Sequence, residues 1–334
     1  MFTTRPFRLR AGALAIAATL LVAACSGGDG GDVAESTPAT SSTEAGSAGT
    51  STSNDEAATI TVAEVDCGEV AAQFVTRGSA NADLVDPEVS ASCDGETIEV
   101  VSNGVPDFTY IGTSPGAPDG REFTFTLAAT PTVAEETTAV PYVGPIGVTL
   151  SGIAIYGPTE GTGGDVDSLP GIVSACGSHN GPGGFHTHKI LTSDETDCWF
   201  TPEEVAAEPQ LAGYAFDGFP IYTGNDQYSS SWQLVDETLF ATDTWAAHEY
   251  VAGSGDLDEC NGRVDENGDY AYYTTDAFPY VLGCFVGEVQ LDEPGGDAGG
   301  DRPERPEGGG DRPERPADGD EDRPEPPPED GADS

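Results

Sequence analysis

Three of the chain's four histidines fall within ten residues, at His179, His186 and His188. On an extended strand His186 and His188 share one face, because side chains alternate with a period of two. His179 lies seven residues upstream, across Gly181-Pro182-Gly183-Gly184, a turn that folds the chain back. Three imidazoles brought together in this way make a three-histidine metal site with an open position, and zinc or copper is the ion that suits them. The competing reading is structural: strand histidines that pack or hydrogen-bond inside a disulfide loop. Lys189 follows directly, so His179, His186, His188 and Lys189 form a small cationic island on an acidic chain, suited to an anionic ligand as readily as to a metal. Asp217 is either a partner that orients a histidine or a turn-former, and the turn is the favoured reading. His248 reads as a surface or capping histidine. Asp265-Glu266-Asn267-Gly268-Asp269 lacks the spacing and final glutamate of a calcium loop and reads as a hairpin turn. No Gly-x-Ser-x-Gly, Walker or Rossmann string is present, and no catalytic residue is assigned.

The elements that must position these groups are mostly strands. Thr97–Ser102, Phe123–Ala128 and Val148–Tyr156 alternate or run apolar, and Phe123, Phe125 and Leu127 show the period of two. One short helix is expected near Val70 and Phe74. Another follows Thr201-Pro202-Glu203-Glu204, which has an N-cap, proline at the first helical position and glutamate three residues after the cap. The expected fold is mainly β: a disulfide-stapled, sandwich-like domain with a few short helices, flanked by a disordered tether and tail.

Of seven cysteines, Cys25 belongs to the export signal described below, leaving six in an exported chain, which implies disulfides. Cys176 to Cys198 and Cys260 to Cys284 enclose similar strings. Each has a polar, Gly-rich turn after the first cysteine, then an aromatic-led alternating strand, as if one unit were used twice. The expected pairs are therefore Cys176–Cys198 and Cys260–Cys284, with Cys67–Cys93 left over, each worth about 3 kcal/mol in the chain-entropy model. With all six paired, a thiol nucleophile is not expected.

These strings resemble the YHYH family, an exported bacterial group named for a Tyr-His-Tyr-His signature between paired cysteines. The resemblance rests on Leu257-Asp258-Glu259-Cys260-Asn261-Gly262-Arg263, Phe278-Pro279-Tyr280-Val281-Leu282-Gly283-Cys284, Gly213 to Tyr222, and Gly144-Pro145-Ile146-Gly147-Val148 with Ser151-Gly152. It covers roughly residues 97–290 and implies a fold rather than an activity. The departures bear on chemistry. Where the family has Tyr-His-Tyr-His, the first unit reads Phe185-His186-Thr187-His188 and the second Tyr270-Ala271-Tyr272-Tyr273. A segment that usually ends in histidine ends here in Phe108. A metal site drawing histidines from both units would have lost about half its ligands.

The two ends of the chain are of a different kind. Arg5, Arg8 and Arg10 precede the short apolar run Ala11–Ala24, which closes in Leu21-Val22-Ala23-Ala24-Cys25. This resembles a lipoprotein signal peptide (residues 1–24) and implies cleavage before Cys25 and a thioether-linked diacylglycerol there, acyl chains (palmitate among them) that hold a protein on the bilayer. Residues 25–58 are the anchor and a Gly/Ser/Thr tether, and 59–96 an N-terminal disulfide-bonded segment before the YHYH-like domain of 97–290. From 294 to 334 runs an acidic, Pro-rich tail in which Asp301-Arg302-Pro303-Glu304-Arg305-Pro306 recurs at Asp311.

The net charge of −47 excludes a nucleic-acid binder that works by bulk charge, and cations are the expected counterparts. Most of that charge is not in the tails. Residues 59–293 keep 39 acids against Arg77, Arg121, Lys189 and Arg263, a net −35. The sequence therefore reads as an exported, lipid-anchored envelope protein whose domain binds a metal or small ligand through its histidines. The alternatives are a structural or adhesive module without a site, and a metal-dependent hydrolase or oxidoreductase with an open coordination position.

Overall fold

The computed structural model describes residues 60, 62, 66–114 and 116–291. Cys25, the tether and the Pro-rich tail lie outside the described residues. In chain order come α1 (Cys67–Ala71), β1 (Val89–Cys93), β2 (Thr97–Ser102), β3 (Phe123–Ala128), β4 (Val133–Ala139), β5 (Pro145–Thr149), β6 (Ala154–Tyr156), β7 (Ser178–Gly181) and β8 (Gly184–Thr187). Then follow α2 (Pro202–Ala207), β9 (Leu211–Ala215), β10 (Pro220–Tyr222), β11 (Trp232–Leu234), α3 (Thr244–Ala247), β12 (His248–Tyr250), β13 (Gly262–Val264), β14 (Tyr270–Tyr273) and β15 (Cys284–Gly287). The protein is mainly β, as its alternating runs require, and the three disulfides join Cys67 to Cys93, Cys176 to Cys198 and Cys260 to Cys284.

Local chemistry accounts for several boundaries. Thr201 Oγ1 accepts from the Glu204 amide and Glu204 Oε2 accepts from the Thr201 amide, so the expected capping box starts α2. The run Val148–Tyr156, read from sequence as one strand, is two. The chain turns at Ser151-Gly152, where Gly152 adopts φ +83°, a conformation that disfavours any side chain. The Asn267-Gly268 turn joins β13 to β14 as a hairpin.

The main sheet has eight strands in the order β13-β14-β10-β9-β5-β6-β8-β7. This order is two-fold. From the central antiparallel pair β5–β9, each direction runs an antiparallel step, a parallel step and a terminal hairpin. Register then equates positions of the two halves. Ile155 pairs with Thr187 where Ile221 pairs with Tyr272, and His179 faces His186 where Arg263 faces Ala271. The repeated cysteine unit is thus a repeated structural unit, with Cys176 two residues before β7 and Cys260 two before β13.

Each face of the sheet is covered. The three-stranded sheet β1-β2-β3 and α1 lie on one side, where Ile98, Val100, Phe125, Leu127, Phe74 and Val70 pack with Val148, Ala154 and Tyr214. On the other side Ile146, Ile155, Ala215, Ile221 and Tyr272 pack with Phe219, Phe278 and Phe285. A strand pair, β4–β15, and a ribbon, β11–β12, complete the layers. Among the described residues, no helix is long and apolar enough to cross a membrane.

Candidate metal centre

The β7–β8 hairpin sets His179 directly opposite His186. His188 lies two residues on from His186 and so shares its face. All three are buried, at 4%, 6% and 1% exposure, and each offers a nitrogen within 4.8 Å of the others. Their tautomers are set by the backbone. His186 Nδ1 lies 2.9 Å from the Gly184 carbonyl oxygen and His188 Nδ1 lies 2.6 Å from that of Gly157. A carbonyl only accepts, so both Nδ1 atoms carry the proton and donate. When both rings are neutral, both Nε2 atoms present lone pairs, and they face each other at 3.1 Å.

Glu160 completes the cluster. It arrives on the loop after β6, held by a tight turn in which the Gly163 amide donates to the Glu160 carbonyl and the Glu160 amide to that of Gly164. Its Oε1 lies 3.1 Å from His179 Nε2 and 3.2 Å from His188 Nε2. Glu160 Oε1 and both ring nitrogens of His179 are nonetheless buried without a hydrogen-bond partner. Such orphaned atoms are costly unless something else satisfies them. Donors held at 2.0–2.1 Å by a tetrahedral zinc ion stand about 3.3 Å apart, close to the 3.1–3.2 Å of His186–His188, His179–Glu160 and His188–Glu160, with all three imidazole nitrogens within 4.8 Å. Three imidazoles, with a carboxylate beside two of them, thus suit a divalent transition metal.

The electrostatics agree with this fit. Burial, reinforced by the neighbouring charges of His188 and His179, pushes the His186 imidazole down to about 3. Burial would raise the Glu160 carboxyl, but the close approach of His179 and His188 outweighs it and holds the group below the usual carboxylate range. An unprotonated His186 and an ionised Glu160 are the states a metal requires of those two groups. The His186 ring is fixed from both sides. Tyr156 stacks on it at 4.0 Å and 24°, and a Cβ at Gly181 would stand 2.9 Å from its Cε1.

The other residues singled out in the sequence lie elsewhere. Lys189 is not part of a cationic island. Alternation turns it away from His188, and its Nζ sits 2.5 Å from Asp167 Oδ2 and 3.8 Å from the centre of the Tyr280 ring. Asp217 orients no histidine. It sits in the turn between β9 and β10, fully buried, and accepts from Tyr272 Oη at 2.5 Å and the Gly287 amide at 2.9 Å. His248 follows α3 and donates to the Thr244 carbonyl at 2.7 Å, but it is buried and stacked on Phe278 rather than at the surface. Phe108, at the end of the segment noted in the sequence, packs against Phe185 and Trp199. The second unit contributes no ligand. Arg263, Ala271 and Tyr273 occupy the places of His179, His186 and His188, and the cluster is complete within the first half.

Sequence reasoning missed Glu160. The only signal was an acid four residues after the apolar run that ends at Tyr156. That run is parallel to the histidine strand, and parallel neighbours are joined by long connections that spacing does not reveal.

Compared with known families, residues 124–287 match the family model described as YHYH protein. β1 and β2 lie outside the match. No curated protein and no solved structure matches the chain.

Proposed function

We propose that this chain, which carries a YHYH domain, is an exported, lipid-anchored envelope protein that binds one divalent transition metal ion through His179, His186, His188 and Glu160. One observation carries the reading: the Nε2 lone pairs of His186 and His188 converge at 3.1 Å while both Nδ1 protons are spent on carbonyl oxygens. Two lone pairs in that arrangement repel unless a proton or a metal ion lies between them. Burial alone would suit histidines of a module without a site, but convergence with an otherwise unsatisfied carboxylate does not. An N3O donor set suits zinc or copper.

The same geometry ranks the possible roles. A catalytic centre keeps a coordination position open, whereas a structural centre is closed by four protein ligands. Here three imidazoles converge and Glu160, its side chain only 16% exposed, closes on two of them. That favours a metal that is held, for structure or for retention, over hydrolysis or oxidation. The proposed anchor rests on the Arg-rich start, the apolar run Ala11–Ala24 and the small residues before Cys25.

The test is elemental analysis of protein purified without a histidine tag, beside His186→Ala/His188→Ala. The expected result is about one equivalent of metal in the native protein and none in the variant. Metal well below stoichiometry in the native protein, after supply of zinc and copper in turn, refutes the reading. Mass spectrometry of the mature N-terminus tests the anchor: an unmodified residue 25, or cleavage elsewhere, removes it.

A further inference from the structure

We propose that the second half of the main sheet carries a binding site for a small organic cation with an apolar body. The two-fold register places Ala271 where the first half has His186, and Tyr222 where it has Tyr156. In the first half the imidazole fills the space over the sheet. In the second half a methyl group stands there, and a cavity of about 440 Å³ opens beside it, under the cover of α1, β2 and β3. That volume lies within the range of small-molecule sites.

The lining specifies the occupant. Tyr214, Tyr222, Tyr273 and Phe219 present aromatic surface, with Ile98 and Leu127 opposite. The Tyr222 and Tyr273 rings are stacked at 5.9 Å and 25°. Asp265 and Asp269 also line the cavity, and among the described lining residues there is no lysine, arginine or histidine. Asp265 is ionised in use: the amides of Asp269 and Asn267 donate to its carboxylate and hold it below its ordinary range. Its charge is felt at the wall, since burial and then Asp265 push the Tyr222 hydroxyl up. Arg263, on the neighbouring strand, is turned onto the Tyr228 ring at 4.5 Å and does not line the cavity. Aromatic faces attract a cation through their quadrupole, and the carboxylates add charge of the right sign. An anion is repelled, and a neutral ligand gains only from burial.

The test is ligand-observed NMR titration of the full mature chain with benzyltrimethylammonium, beside its neutral carbon isostere neopentylbenzene. The expected result is saturable binding of the cation, at least tenfold tighter than the isostere. Ala271→Phe, which fills the cavity, should abolish binding, and Tyr273→Leu should weaken it at least fivefold. Asp269→Asn should narrow the preference for the cation. Metal content should be unchanged in all three variants, and His186→Ala/His188→Ala protein should bind the probe as the native chain does, so this site and the metal centre fail or stand separately. Equal binding of both probes, no saturable binding, or binding that survives Ala271→Phe overturns the proposal. If Ala271→Phe does not fold, binding undiminished by Tyr273→Leu overturns it instead.

Discussion

Glu160→Gln separates a carboxylate donor from a carboxylate that is merely nearby. The substitution keeps volume and shape, leaves the three imidazoles in place and removes the one negative charge that touches His179 and His188. Loss of an outer-shell partner typically weakens metal binding 10- to 100-fold, and a donor 3.1 Å from the nearest ligand nitrogen should sit at the upper end or beyond. A 100-fold loss is about 2.7 kcal/mol. The consequence for stability follows by linkage. At free zinc of about 100 times the native Kd, the ion stabilises the native protein by about 2.7 kcal/mol. At the same zinc level the variant would gain only about 0.4 kcal/mol. For a fold of this size, at about 2–4 °C per kcal/mol, the zinc-induced rise in Tm shrinks from about 5–11 °C to under about 2 °C. The assay is paired: competition against a chromophoric chelator for affinity, and calorimetry with and without zinc for Tm. An unchanged Kd together with an unchanged rise in Tm would show that Glu160 is no ligand and that the centre is three histidines and solvent.

Other outcomes follow from the same structure. Gly181→Ala should weaken metal binding about tenfold while changing stability by less than about 1 kcal/mol, because its Cβ strikes the His186 ring rather than the core; chelator competition and urea midpoints read the two effects separately. Tyr272→Phe should cost about 2–3 kcal/mol in urea denaturation, since it strips Asp217 of its shortest donor and the Val286 amide of its acceptor; a loss under 1 kcal/mol contradicts the network. Burial, only partly offset by the Tyr272 hydroxyl and the Gly287 and Phe219 amides, raises the Asp217 carboxyl, so the folded state holds that proton more tightly than the unfolded chain. Stability from this group is full below the ordinary value of 3.8 and is lost as pH rises through the folded-state value, so Asp217→Asn should flatten that decline; parallel pH profiles for native and variant protein would refute the sign. With a net −35 on residues 59–293, Tm should rise between low salt and about 1 M potassium chloride, and a flat or falling Tm removes self-repulsion as a term.

The histidine cluster was legible because its information is local. A His-x-His strand after a Gly-rich turn fixes both the shared face and the fold-back that brings in His179. The same alternation argues against Lys189 as a member, a point that composition obscured by setting four basic residues side by side. Glu160 was out of reach because β6 joins β8 in parallel, and the 21 residues between Tyr156 and Ser178 erase any spacing rule. The cysteine strings revealed a repeated unit. They did not reveal that the units meet through β5 and β9, because central strands of a buried sheet are apolar throughout and carry no mark of their partner. The short α3 escaped for a different reason: four residues, Thr244 to Ala247, are too few for a helical period to show.

The two-fold order of the main sheet also decides what its margins offer to other molecules. Both outermost strands, β7 and β13, are the far arms of hairpins and run only four and three residues. Ser114 donates to the Asn180 carbonyl and so blunts one margin further. Strand-by-strand stacking of one chain on the next, the route by which open sheets coalesce, needs a long row of unpaired amides. Here each margin gives out after a few residues, on a body whose charge repels its own kind. Neither margin of the main sheet is therefore a good template for adding a further strand.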